Sequence, residues 1–170
     1  MNTQTAFRRA QVYNFLAHAF LYPQDNWTED VPLVAHILNE IDPQSVWNLE
    51  FEREAWNLDF LQAEHRRALG LTGSLCYETE MGLPHEFRQS QELADIAGFY
   101  RAFGFSVGGA VRERHDHLAV ELEFMYVLAL KEAHALITAN QDHVEVCVDA
   151  QKKFLGEHLG KWVRVFADAL

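Results

Sequence analysis

The stretch Glu113-Arg114-His115-Asp116-His117-Leu118-Ala119-Val120-Glu121-Leu122-Glu123-Phe124-Met125 decides how the rest of the chain is read. From Leu118 onward, Leu118, Leu122, Met125, Leu128 and Ala129 recur at helical spacing. They predict an apolar-faced helix running from Asp116 to about Asn140. Asp116 stands where an N-cap belongs, and acids suit the positive end of a helix. The stretch before it contains Gly104-Phe105-Ser106-Val107-Gly108-Gly109, three glycines in six residues. Capping accounts for Asp116. It does not account for Glu113, Arg114, His115 and His117 gathering at the same point.

Outward from this centre the chain reads as further helices. Phe7, Ala10, Tyr13, Ala17, Phe20 and Leu21 share a face, predicting a helix from about Thr5 to Leu21 that stops before Tyr22-Pro23. Asp30 is placed to cap a second, with Pro32 in its first turn and Leu33, Val34, Ile37 and Leu38 inside. Asp42-Pro43 repeats that start signal. A longer helix is predicted from about Leu49 to Leu69, with Phe51, Ala55, Leu58, Leu61 and Ala68 on one face and Gly70 as its C-terminal cap. The span from about Gly70 to Arg88, with Gly73, Gly82 and Pro84, reads as one long loop, and loops of that length in a compact domain are usually functional or mobile. Ser90 is read as the cap of Gln91 to Phe103, Asp142 as the cap of Val144 to Leu155, and a last helix covers about Glu157 to Leu170. No stretch alternates long enough for a sheet. The expected fold is all-α: one domain over residues 1–170, a bundle of six or seven helices, with a hinge at 104–112 built on Gly104, Gly108 and Gly109.

Composition narrows the function. A chain of 170 residues buries one sizeable core. A net charge of −11 disfavours nucleic acid and anionic membrane, and suits either plain solubility or a basic peptide partner. Cys76 and Cys147 form no short-spaced pair, which fits a reducing compartment. Arg8-Arg9 and Ala17-His18-Ala19 imitate an export signal, but Gln11, Asn14 and His18 interrupt the run between them. No window is long and apolar enough to span a bilayer, so a cytoplasmic protein without membrane insertion is expected.

Catalytic signatures are missing. His115-Asp116-His117 are consecutive, and on a helix such residues point about 100° apart rather than at one ion. No Glu has a His three residues later, and neither H-E-x-x-H nor C-x-x-C occurs. There is no G-x-S-x-G elbow, and the Gly104–Gly109 loop lacks the Lys-Ser/Thr of a phosphate loop. No metal, cofactor or catalytic residue is assigned. A binding protein with two polar-aromatic spots remains, one at Cys76-Tyr77-Glu78-Thr79-Glu80 and one at Glu113 to His117. A small metal- or nucleotide-dependent helical enzyme and a structural subunit of a redox complex stand as alternatives.

These motifs resemble the TorD–DmsD–NarJ family of redox-enzyme maturation chaperones. The family shows an acidic residue, then Asp-His opening a helix of the form L-x-x-E-L-x-F-M; here these are Glu113, Asp116-His117 and Leu118 to Met125. Many members carry Pro before the Asp-His, where this chain has His115. Tyr77-Glu78, the helix end Leu93 to Gly104 and the C-terminal pattern from Phe154 through His158 and Trp162 to Phe166-Ala167 are also similar, in the same order, across roughly residues 70–170. The resemblance is nearest the NarJ-like branch. It implies an all-helical, mainly monomeric cytoplasmic chaperone that binds the N-terminal segment, often a twin-arginine signal peptide, of the apo catalytic subunit of a molybdenum oxidoreductase. Such a chaperone holds the subunit until its molybdopterin cofactor is inserted and blocks premature export. Tyr77, Glu78, Glu113, Arg114, Asp116, His117 and Glu121 are then the candidate peptide-binding residues. The glycine hinge would permit a minority domain-swapped dimer.

Overall fold

The computed structural model describes residues 2–44, 56–70, 76–81, 86–108 and 113–170. Among them lie seven α-helices and no strand: α1 (Thr3–Phe20), α2 (Val31–Ile41), α3 (Leu58–Leu69), α4 (Glu86–Ala102), α5 (Leu118–Ile137), α6 (Gln141–Glu157) and α7 (Leu159–Ala169). Two short 3₁₀ turns, Trp27–Asp30 and Glu78–Glu80, punctuate the connections.

Helix α5 is the axle of the bundle, packing against α1, α6 and α7. Twelve of its residues are buried, so it reads as apolar over most of its circumference rather than along one stripe. Alanines set the spacing to α1: Ala6, Ala10 and Ala17 on α1, and Ala129 and Ala133 on α5, are all at most 1% exposed. Side chains this short let two backbones lie close. Aromatic residues fill the opposite side. Phe124 of α5 meets Tyr100 of α4 and Phe154 of α6, each at 4.8 Å between ring centroids. Phe166 of α7 takes the edge of Phe20 at 5.4 Å, closing α7 onto the end of α1.

Several expectations needed correction. Phe7 is 41% exposed; the core face of α1 runs through Ala6 instead. Within the described residues, the helix expected over Leu49 to Leu69 is represented by α3 from Leu58, where the Asn57 side chain accepts the Phe60 N–H and caps it. Phe51 and Ala55 lie outside the described residues. Asp30 precedes α2 without making a capping hydrogen bond. Asp42 ends α2 rather than opening a helix within the described residues. Helix α4 starts at Glu86, which puts Ser90 inside it and not at its cap. Asn140, not Asp142, caps α6 by accepting from His143 N–H. Gly70 does terminate α3, at φ 71°.

The loop expected to act as a hinge is anchored where it is described. Phe105 N–H bonds Tyr100 O at 2.8 Å and Gly104 N–H bonds Arg101 O, a Schellman ending of α4 with Gly104 at φ 67°. Phe105 then packs on Tyr100 and Phe124 at 4.9 and 5.7 Å. Gly109 and residues 110–112 lie outside the described residues.

Candidate functional site

The two polar-aromatic spots of the sequence meet. Residues 76–81 lie as a strap across the turn that opens α5. An isolated antiparallel bridge joins Tyr77 to His117, and Glu78 N–H bonds Asp116 O at 2.9 Å. Asp116 is fully buried and gathers the strap to the turn. Its Oδ2 accepts from Thr79 N–H at 3.2 Å and from the Thr79 hydroxyl at 2.7 Å. Arg114 closes the ring: it donates to both Asp116 oxygens at 3.0 and 2.8 Å and to Glu80 Oε1 at 2.7 Å. Asp116 therefore does not cap α5. His117 does, its Nδ1 accepting the Ala119 N–H at 3.1 Å. The aspartate is spent on a non-local tie because Thr79 offers two donors to one oxygen. Burial holds the His117 imidazole below its ordinary pKa, and only the neutral ring leaves Nδ1 free to accept.

Tyr77 faces the outer side of the strap. Its hydroxyl donates to Glu113 Oε2 at 2.8 Å, the Arg114 guanidinium sits 4.4 Å from its ring centre, and His117 meets its ring at 5.1 Å. Burial, with the Glu113 carboxylate next to it, pushes the phenol up to about 12. The same two causes push the Cys76 thiol up to about 11, so it is a protonated core side chain and not a nucleophile at neutral pH. Tyr77, Glu80, Glu113 and Arg114 form the solvent-reaching face of the tie, whereas Glu78, Asp116, His117 and Glu121 form its buried side.

Behind the strap lies a buried polar cluster that sequence spacing did not reveal. Glu78 and Glu121 meet there, and Trp162 Nε1 donates to Glu121 Oε2 at 3.2 Å. Burial, reinforced by Glu78, raises Glu121 well above the carboxylate range. One oxygen of each acid, Glu78 Oε2 and Glu121 Oε1, has no N–H or O–H partner, so a proton retained by Glu121 lets one carboxyl donate to the other. His158, at the α6–α7 junction, stands 3.3 Å from Glu78 Oε1 and, on its other nitrogen, 3.2 Å from Asp95 Oδ2 of α4. Strap, α4, α5 and α7 are thus tied through one chain of polar contacts. Tyr100 adds a bond from its hydroxyl to His115 O at 2.7 Å. Among the described residues no group of three or more His, Cys, Asp or Glu is arranged to hold a metal. No helix among them is long and apolar enough to cross a membrane.

The model of the family described as "Nitrate reductase delta subunit" matches residues 52–168. The chain is 26% identical over 166 residues to a protein of Vibrio cholerae (strain O395) named chaperone protein TorD, a match covering 95% of this chain and 68% of that one. It is 33% identical over 110 residues to the perchlorate reductase assembly chaperone protein of Dechloromonas aromatica, covering 59% and 47% of the two chains. Over 78 residues it is 36% identical to the chlorate reductase assembly chaperone protein of Ideonella dechloratans, covering 46% and 39%. No solved structure matches. The family match takes in the strap, the turn at Asp116, the buried acid pair and the α6–α7 junction, and on this ground the chain belongs to the nitrate reductase delta subunit family, the TorD/NarJ family of assembly chaperones.

Proposed function

We propose that this protein is the assembly chaperone of a molybdenum oxidoreductase. It binds the N-terminal segment of the apo catalytic subunit in the cytoplasm, holds the subunit until molybdopterin is inserted, and delays its export. The observation that carries this reading is a family match, over 52–168, that includes both halves of the strap tie, alongside relatives named as chaperones of reductase assembly. The chemistry agrees with that role. Cys76 is buried with its thiol pushed up to about 11, while Tyr77, Glu80 and Glu113 reach the surface of a chain with net charge −11. Arg114 already stacks on the Tyr77 ring and pairs with Glu80, so a basic peptide would be met here by the Glu113 carboxylate and by the negative charge of the chain as a whole. In this reading Tyr77, Glu80 and Glu113 touch the peptide. Glu78, Arg114, Asp116, His117 and Glu121 hold those groups in place.

Purification of the tagged chain from its native cells, with mass spectrometry of what it retains, tests the reading. The expected companion is a cofactor-free catalytic subunit of a molybdenum oxidoreductase. Calorimetric titration with that subunit's N-terminal peptide should then give binding that Tyr77→Ala weakens. Recovery of the chain in fixed ratio with a mature, cofactor-loaded enzyme would make it a structural subunit instead.

A further inference from the structure

Glu78 rides on the strap and Glu121 on α5, and both are buried. The two acids lie close enough for one to donate to the other when it is protonated. Two N–H groups serve their four oxygens. Trp162 Nε1 gives to Glu121 Oε2 at 3.2 Å, and His158 Nδ1 stands 3.3 Å from Glu78 Oε1. Glu78 Oε2 and Glu121 Oε1 receive no N–H or O–H among the described residues.

The groups around the pair do not make good that shortfall. From α4, the Tyr100 hydroxyl is given to His115 O, and Asp95 brings a further carboxylate to the other nitrogen of His158. From the turn before α5, Asp116 adds negative charge, while Arg114 spends its guanidinium on Asp116, Thr79 and Glu80. Along α5, Glu123 is coupled instead to His18 of α1. Two buried carboxylates side by side, with Asp116 near, repel one another. A single proton on the pair removes one charge and joins the two orphan oxygens. That proton is shared between two elements, the strap and α5, and it is shared only while the strap lies closed.

We infer that the strap is a proton-dependent latch: it stays closed over α5 while the Glu78–Glu121 pair holds a proton, and it opens more often as that proton is lost. Opening carries Glu78 away, and each acid, now in water, ionises above about pH 4.5. The closed pair keeps its proton to higher pH, because burial and the neighbouring Glu78 raise Glu121. In that range opening releases one proton, and a step that releases a proton is favoured as pH rises. Tyr77 and Glu80 travel with the strap, so opening also breaks the Tyr77–Glu113 bond and the Glu80–Arg114 pair on the outer face.

Two amides report the opening: Glu78 N–H bonds Asp116 O at 2.9 Å, and Thr79 N–H bonds Asp116 Oδ2 at 3.2 Å. Their hydrogen exchange is followed by NMR from about pH 5 to pH 8 and divided by the intrinsic rate at each pH, which gives an opening constant when the strap recloses faster than it exchanges. In the parent this constant should rise with pH, approaching about tenfold per unit while the closed pair keeps its proton. At every pH it should exceed that of the Leu128 amide in the core of α5. Glu121→Gln cannot ionise and should lose most of the slope. Glu78→Gln should do the same, and it serves if the first variant does not fold. His158→Gln removes the imidazole and should keep the slope. A parent constant that does not change with pH overturns the inference, as does a slope that survives in a folded Glu121→Gln or Glu78→Gln. Loss of the slope in His158→Gln would give the proton to the imidazole and overturn it too. Strap amides exchanging no faster than Leu128 would mean that the strap opens only with the whole bundle, and no latch exists.

Discussion

Asp116 shows how much one residue can carry. Fully buried, it accepts from Thr79 twice and from Arg114 twice, with Arg114 itself 42% exposed. Asp116→Ala would leave the Thr79 donors without their acceptor, and should cost about 2–4 kcal/mol in urea unfolding, the ion pair being discounted for the exposure of Arg114. Glu121 gives a test in pH. Its folded pKa is raised, so above about 4.5 the unfolded chain gives up a proton that the folded chain keeps, and stability falls as pH rises. Glu121→Gln keeps a donor for Glu78 and an acceptor for Trp162 without titrating. Its stability relative to the parent should therefore grow between pH 5 and pH 8 in denaturant titrations; a constant difference would mean that Glu121 is ionised when folded. Two backbone positions add simpler tests. A Cβ at Gly160 would stand 2.4 Å from Leu155 O, so Gly160→Ala should destabilise the α6–α7 junction by roughly 1–3 kcal/mol. Ala139 sits at φ 52° in the Schellman turn ending α5, and Ala139→Gly should gain about 1 kcal/mol, read as a rise in Tm.

At the scale of elements, the strap is joined to the turn before α5 by its polar ties. Arg114→Ala removes the guanidinium that joins Glu80, Thr79 and Asp116. Hydrogen exchange at Glu78 and Thr79 should accelerate about tenfold or more, corresponding to roughly 1.4 kcal/mol of lost local stability, with the amides of α5 unchanged. Uniform acceleration across the bundle would mean that the strap opens only with global unfolding. How much of this was legible in sequence differs by element. Helices announce themselves by periodicity, and α1, α2 and α5 to α7 fall close to where their apolar spacing puts them. Caps were less legible. Asp116 and Asp142 each carry the right side chain one or two positions from the residue that does the capping, His117 or Asn140. Asp116 was drawn into a contact with Thr79, 37 residues away in sequence. No local pattern encodes such a partner. The meeting of Glu78, Glu121, His158 and Trp162 was equally hidden, since each stands in an unremarkable helical or turn position and only packing brings them together.

At the scale of the whole molecule, the acidity of the chain should act on encounter with its partner. With −11 on this chain, its association with the basic client peptide proposed above should slow as salt rises, because exposed charges are screened beyond about 8 Å at physiological ionic strength. Stopped-flow mixing across a salt series measures this, and a flat rate would assign the acidity to solubility alone. The central proposal is that the protein serves cofactor insertion into another protein. Its most direct test is the molybdenum content of the client's catalytic subunit, purified from cells with and without the gene for this chain. The account predicts that without the chain the subunit polypeptide is still made but carries little or no molybdenum, and that restoring the chain restores the metal. A catalytic subunit fully loaded with molybdenum in cells lacking the chain would contradict it.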